Sequence, residues 1–442
     1  MILIGKPSIV DRGDKACVWA PVSVSDDTAA QYKNLKNELP QKGIAWRVDE
    51  DYPPDNWTLP EAGLWFSVDK QYRDCLCADR ADAFLVAMLW YAMMTGSDII
   101  SEAPVSEAIL FKINHFLQPA LLHSEDHFIQ IKCESIKTPY PSRNQVGTGM
   151  SCGVDSLYTL WKYHRKDVPE QYRLTHLTYF YHGSIFQTDY REKKHYSIQE
   201  FYEATDNKVL EKRAQAQTVA DESHLPLVFV STNLDKDYYR GAFGYTAVYR
   251  NCACALALQG LFGKYYLSSA GWPHFFELNI ASGSEHYETL LSSVFSSESL
   301  TFFISDYVTR FEKTRALTDF LPAQKHLDVC YNFCNCGVCT KCRRTLLTLD
   351  ALGAVEKFSA VFSLEDWKKN RSSAYAWMLQ QKDDNEFKNN HAIYAKEIYK
   401  KAVENHTIPD EAIAIYEKQK TMHASKASLF SRVIGRLRAT IR

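Results

Sequence analysis

The stretch Asn144-Gln145-Val146-Gly147-Thr148-Gly149-Met150-Ser151-Cys152-Gly153-Val154-Asp155-Ser156-Leu157-Tyr158-Thr159-Leu160 decides how the chain is read. Small residues run through its centre, so the backbone there can turn tightly and come close to a ligand. Gln145 to Met150 reads as a strand. Leu157, Leu160 and Trp161 then fall at helical spacing, which predicts a helix from Asp155 to Lys166 starting near Val154 or Asp155. A glycine-containing turn that feeds a helix N-terminus offers backbone N–H groups and the positive end of the helix dipole to an anion. Ser151 and Ser156 add hydroxyl donors, and Asp155 adds a carboxylate able to hold Mg²⁺ beside phosphates. The loop contains no lysine, so it is not the Gly-x-x-x-x-Gly-Lys-Ser/Thr phosphate loop. Its chemistry fits a pyrophosphate cradle; the bland alternative is a Gly/Ser turn that binds nothing.

From this turn onward, strands and helices alternate as a parallel sheet requires. Leu174 to Tyr181 reads as the second strand, ending at His182-Gly183-Ser184 on the carboxyl edge where open α/β sheets bind ligands. A long helical stretch covers Phe201 to His224, and the strand Leu227 to Ser231 follows. Tyr249-Arg250-Asn251 opens a further helix through Leu261, whose small face of Cys252, Ala253, Cys254, Ala255 and Ala257 suits close packing; Tyr265 to Ala270 is the fourth strand.

Ahead of the turn, Met1 to Pro141 reads as a separate N-terminal α+β domain. It has strands at Ala16 to Pro21 and Gly63 to Val68, and helices at Asp79 to Met94 and Val105 to Leu117. Thr138 to Asn144 is a linker in this reading. His115, His123 and His127 are scattered and suggest no catalytic group. At 442 residues and 46% hydrophobic, the chain can bury large cores, and its formal net charge of −2 gives no basic field for nucleic acid. The N-terminus lacks the basic start and apolar run of a secretory signal, and the longest apolar run, Ala83 to Met94, is too short to span a bilayer. The expectation is a cytoplasmic protein with reduced thiols.

The second motif is Cys330-x-x-x-Cys334-x-Cys336-Gly337-Val338-Cys339-Thr340-Lys341-Cys342-Arg343-Arg344. Cys336, Cys339 and Cys342 follow C-x-x-C-x-x-C spacing, and with Cys330 they make the four-thiolate set that Zn²⁺ prefers. Four sulfurs leave no open position, so the metal is expected to be structural. Cys334 could replace Cys330 as the fourth ligand, and a [4Fe–4S] cluster is the other metal reading. After Gly353 the chain reads as helical and charged. Leu429, Phe430, Val433, Ile434 and Leu437 form one face of a last helix, suited to docking on the protein's own body or on a partner.

Ser151-Cys152-Gly153-Val154-Asp155-Ser156 resembles the Ser-Gly-Gly-x-Asp-Ser loop of the ATP pyrophosphatase superfamily, with Cys152 in place of the first glycine. Cys330…Cys336-Gly-x-Cys339-x-x-Cys342 is similar to the zinc knuckle of 7-cyano-7-deazaguanine synthases within that superfamily. The resemblance covers about Val146 to Gly353. It implies a doubly wound, mostly parallel, Rossmann-like α/β sheet of the adenine nucleotide alpha hydrolase type. Three regions follow from it: 1–141, a nucleotide-binding domain at 142–353 carrying the knuckle, and a helical 354–442. It implies ATP, Mg²⁺ and structural Zn²⁺. It places Ser151, Cys152, Gly153, Val154, Asp155 and Ser156 around the phosphates and Tyr181, His182 and Gly183 beside the adenine and ribose. It also makes Asp155, Arg250 and Lys313 the catalytic candidates.

The reaction it implies is cleavage of ATP to AMP and pyrophosphate with adenylation of a carboxylate or amide, followed by displacement by an amine or ammonia. The family's Tyr-Pro-Asp-Cys-Arg segment is missing, and Ser269-Ala270-Gly271-Trp272-Pro273 stands in its place, so the substrate pocket is expected to differ. Large relatives of this layout occur in bacterial anti-phage systems, which extends the substrate class from 7-deazaguanines to a protein partner. The alternatives are a non-catalytic nucleotide-binding scaffold and a tRNA-modifying enzyme. No membrane span and no direct nucleic acid contact are expected.

Overall fold

The computed structural model describes residues 1–38, 63–183, 198–239, 242–269, 276–330, 334–384 and 390–422. Alternating apolar runs and glycine- or serine-bearing turns produce thirteen strands among the described residues. They are β1 (Ile2–Ile4), β2 (Ser8–Arg12), β3 (Lys15–Val24), β4 (Gly63–Asp69), β5 (Ile99–Ser101), β6 (Val105–Ser106), β7 (Ile131–Lys132), β8 (Ser135–Ile136), β9 (Gln145–Gly149), β10 (His176–Tyr181), β11 (Leu227–Thr232), β12 (Phe262–Leu267) and β13 (Thr301–Ile304). The helices of the first part are α1 (Asp26–Glu38), α2 (Asp82–Thr95), α3 (Glu107–Lys112), α4 (Gln118–Leu122), α5 (Val154–Tyr163), α6 (Ile198–Glu222), α7 (Phe243–Leu256) and α8 (Glu288–Val294). Those of the last part are α9 (Arg310–Leu317), α10 (Leu321–His326), α11 (Thr340–Ala351), α12 (Leu364–Lys382) and α13 (Asn390–Glu404).

The chain divides into two compact units, Met1–Val308 and Thr309–Arg442. In the first, one sheet runs β13-β12-β9-β10-β11-β4-β3-β1-β5-β7, with β2 beside β3. The run from β13 to β11 is parallel throughout, while β4 joins β11 antiparallel through Val230↔Val68 and Ser231↔Ser67. The boundary expected near residue 141 therefore runs through one sheet. The likewise expected break near 353 falls inside the second unit, which holds the cysteine motif and the helices after it. Apolar β4, buried along almost its whole length, takes the backbone partners of β11 on one side and β3 on the other.

Counted in chain order, the parallel strands β9, β10, β11, β12 and β13 lie 3-2-1-4-5. The order reverses between β9 and β12. Such a reversal is the place where open α/β sheets bind ligands, outside the carboxyl ends of the strands. Gly147 sits where any side chain would meet the Phe262 ring of β12, at 2.6 Å, so β9 and β12 approach closely at their start. The core behind the sheet centres on α2, buried over nearly its full length and packed against α7.

Three local readings change. Arg250-Asn251 lies in the second half of α7 and does not open it, because the left-handed Ala242 (φ 53°) starts the helix eight residues earlier than Arg250. The helix expected over Val105–Leu117 is split: Val105–Ser106 pairs as a strand with β8, the Ser106 hydroxyl caps α3, and Ile113–Leu117 winds as a π-turn into α4. β12 begins at Phe262 and ends at Leu267, where Ser268 and Ser269 turn to side-chain bonding. The amphipathic segment at Leu429–Leu437 and residues Ala270–Pro273 lie outside the described residues.

Candidate functional site

The first site forms at the carboxyl ends of β9 and β10. Gly147, Thr148 and Gly149 pair with His176, Leu177 and Thr178, so the turn after β9 and the turn after β10 emerge side by side. Met150 donates to the Thr178 carbonyl at 2.7 Å, and the chain then bends through Ser151 and Cys152 into α5. Cys152 has φ 59°, the left-handed region that glycine adopts without cost, and its side chain is buried. Gly153 is the N-cap and supplies no side-chain acceptor, so the first turn of α5 keeps its positive end at the carboxyl end of β9. The Ser151 and Ser156 hydroxyls lie 3.2 Å apart, and Ser156 also donates to the Gly153 carbonyl at 3.2 Å. Ser151 is exposed, Gly153 and Asp155 half-buried, Val154 and Ser156 buried. The loop thus offers hydroxyls and a helix start, with one carboxylate at its edge. The chemistry of this donor set suits an anion, and the Asp155 carboxylate is a hard oxygen donor.

At the end of β10, Tyr181 is half-buried, and His182 and Gly183 just after it are buried. Arg250 stands behind them and is fully buried. It donates through Nη1 to the His182 carbonyl and to Asp235 Oδ1, both at 2.6 Å, and through Nε to Thr246 Oγ1 at 2.7 Å. Its guanidinium also lies over the Tyr239 ring. A guanidinium with no solvent exposure, already bonded to a carboxylate, is a support for the turn, which differs from the catalytic role that the resemblance implies for Arg250. Gly183 has φ 98°, and a Cβ there would sit 2.7 Å from Arg250 Nη1 and overlap Asp235, so only glycine fits against the ion pair. His182 Nε2 meets Asn251 Oδ1 at 2.9 Å, and burial, with Arg250 as a second cause, pushes its pKa down to about 4.

Sequence reasoning missed Asp235 and Asn251. Asn251 follows Arg250 directly, whereas two acids, Asp235 and Asp237, precede Arg250 closely, and only the structure shows that Asp235 is its partner. Sequence reasoning also missed a polar layer at the ends of β12 and β13. Here Ser269 donates to Glu288 at 2.5 Å, Ser305 donates to Asp306 at 2.7 Å, and Lys162 Nζ and Tyr163 OH both donate to the Ser305 carbonyl.

The second site lies in the second unit. Ligand atoms of Cys330, Cys336, Cys339 and Cys342 are all within 4.8 Å of one another, and Cys330 Sγ lies 3.9 Å from Cys339 Sγ. A tetrahedral Zn²⁺ with Zn–S of about 2.3 Å has sulfurs about 3.8 Å apart, so the donor set fits. The Cys339 and Cys342 amides each point at the preceding cysteine's sulfur at 3.4 Å, and Gly337 takes the φ of 70° that the knuckle's turn needs. Cys334 is exposed and outside the cluster, which leaves Cys330 as the fourth ligand. Asn335, also unanticipated, ties the knuckle down by donating to the Leu327 and Val361 carbonyls. Lys313 is buried on α9 of this unit.

No family model, curated protein or solved structure matches the chain. Among the described residues, no helix is long and apolar enough to cross a membrane.

Proposed function

We propose that the chain is an ATP-dependent adenylating enzyme of the ATP pyrophosphatase type, splitting ATP into AMP and pyrophosphate to activate a carboxylate or amide. One observation carries the reading: an exposed serine turn leads into an uncapped helix start where the parallel strand order reverses, the place where open α/β sheets bind ligands. In this reading Ser151, Gly153 and Ser156 hold the β and γ phosphates with the start of α5. Asp155 holds Mg²⁺, which supplies charge neutralisation on the phosphates when bound. The 181–183 turn borders the base. Attack of the substrate oxygen on the α phosphorus expels pyrophosphate, and an amine or ammonia then displaces AMP. Fixing both partners in the crevice supplies much of the acceleration, and the helix start stabilises charge building on the departing pyrophosphate. Lys313 lies in the other unit and carries no step here. The cysteine cluster, by its donor set, is a structural zinc centre.

The acceptor class is a 7-deazaguanine-type carboxylate or a protein group. The test is to incubate pure protein with ATP, Mg²⁺ and deazaguanine carboxylate and to separate the nucleotide products. AMP with pyrophosphate is expected; ADP with phosphate contradicts the reading. A second reading, a nucleotide-binding scaffold without turnover, is favoured by Cys152 at the family's glycine position; it predicts ATP binding with no products.

A further inference from the structure

The second unit holds a pocket that the proposed reaction does not use. Helices α9, α11 and α13 pack against one another there. Arg310 and Phe311 of α9, Arg344 of α11, and Tyr394 and Ile398 of α13 line the space between them. It measures about 230 Å³ with its open mouth included, and only a water-sized group fits wholly inside. Arg310, Arg344 and Tyr394 are each half-buried. The Arg344 guanidinium lies 4.3 Å from the centre of the Tyr394 ring, a stacking that holds its flat fork of donors in place. Thr314, Thr345 and Thr348 complete the lining. Their hydroxyls donate to the carbonyls of Arg310, Lys341 and Arg344, one turn earlier in each helix, at 2.8, 3.0 and 2.9 Å. The threonines therefore offer a ligand no proton, and the donors facing an anion are the two guanidiniums and the Tyr394 hydroxyl. Each guanidinium carries five N–H groups, so a bond to another group of the unit still leaves donors for a ligand. Two acids close by in sequence are engaged by other groups: Glu397 accepts from Thr309, and Glu312 pairs with Arg315.

We propose that this pocket binds a carboxylate, which enters end-on and leaves its carrier at the mouth. Shape and donors decide the anion. A carboxylate is flat and takes two parallel N–H bonds from one guanidinium. A phosphate is tetrahedral and bulkier, and it calls on further hydroxyl donors that the committed threonine protons do not supply. Phe311 and Ile398 make part of the lining apolar, which strengthens an ionic contact beside it. The same head group belongs to a small free acid and to the end of a polypeptide. No residue of the first unit takes part, so the proposal stands apart from the nucleotide reading.

The experiment is ligand-observed NMR titration of the full chain at about 0.15 M ionic strength, where loose surface attraction is screened. The probes are acetate, acetamide, inorganic phosphate, and N-acetyl-triglycine with a free or an amidated end. The proteins are wild type, Arg344→Lys and Arg310→Gln. Wild type is expected to bind acetate with a Kd on the order of 1 mM, phosphate at least about tenfold more weakly, and acetamide not at all. Arg344→Lys keeps the charge and loses the fork, and it is expected to weaken acetate about tenfold with the urea midpoint of the ligand-free chain unchanged. Arg310→Gln is expected to do the same. Acetylated triglycine that binds more tightly than acetate, and loses binding on amidation, assigns the pocket to a polypeptide end; weaker binding than acetate assigns it to a free acid. Acetamide binding as well as acetate, phosphate binding more tightly, or acetate affinity unchanged in both variants overturns the proposal. Loss of acetate together with a lowered urea midpoint in both variants shows that the arginines serve packing, and overturns it too.

Discussion

Cys152 offers the sharpest test of the loop. Its φ of 59° places an L-residue in the left-handed region, at a cost of about 1–2 kcal/mol relative to glycine. Cys152→Gly removes that strain. Against it stand about 0.4–1 kcal/mol from the freer unfolded chain and about 0.8 kcal/mol for each methylene-sized group taken out of the buried site. The terms nearly cancel, so Cys152→Gly is expected to lie within about 1 kcal/mol of wild type. Cys152→Ala keeps the strain and loses the buried thiol, and is expected to be no more stable than the glycine variant. Cys152→Val, β-branched in the same conformation, is expected to fall at least about 2 kcal/mol below wild type. The assay is urea unfolding of each variant followed by tryptophan fluorescence, with pyrophosphate affinity measured in parallel. In a helix or strand, alanine is the more stable of the two by up to about 1 kcal/mol. Recovery of that ordinary ranking at residue 152 would show that the backbone does not turn here as described, and the cradle would lose its geometric basis.

The remaining predictions concern both units. Pure protein is expected to carry one Zn²⁺ per chain by elemental analysis, and Cys339→Ser or a strong chelator to lower the unfolding temperature of the second unit; full stability without metal would exclude a structural role. Gly183→Ala is expected to destabilise the first unit by about 2–4 kcal/mol, from a positive φ and overlap with the Asp235–Arg250 pair, seen as a lower urea midpoint. Asp350→Ala removes the shared acceptor of Arg371, Tyr375 and Trp367 and is expected to cost about 3 kcal/mol in the second unit, again read in urea.

The pH dependence has a definite sign. His176 and His182, both lowered by burial to about 4, are harder to protonate folded than unfolded, so their contribution is present above about pH 6.5 and lost toward pH 4. Asp82, raised by burial to about 6, acts oppositely, its penalty easing as pH falls through 6. Two imidazoles outweigh one carboxylate, so melting temperature is expected to drop between pH 6.5 and 5, and His182→Gln to flatten the slope; a melting temperature that rises over that range contradicts it.

Much of both sites was legible in the chain because the interactions that make them are local. A strand of small residues, a turn and a helix with Leu157 and Leu160 on one face specify the loop within seventeen residues of sequence, and the spacing Cys336, Cys339, Cys342 suffices to bring three sulfurs together on one knuckle. Even Cys330 over Cys334 was within reach as a choice between two. Arg250 was not legible. Its sequence neighbourhood says only that a cation lies on a small-faced helix. Whether that cation meets a ligand or a carboxylate depends on Asp235, which lies in the helical turn after β11, and on how deeply α7 is buried. The same holds for β4: nothing in Gly63–Asp69 says that it will extend the parallel sheet antiparallel to β11, because strand partners are chosen by the competition among all edges for backbone hydrogen bonds. Local spacing and periodicity determined the turn, the helix start and the cysteine cluster. Burial, which is a property of the whole packed chain, decided which charges face inward and which of the candidate residues support the site from behind.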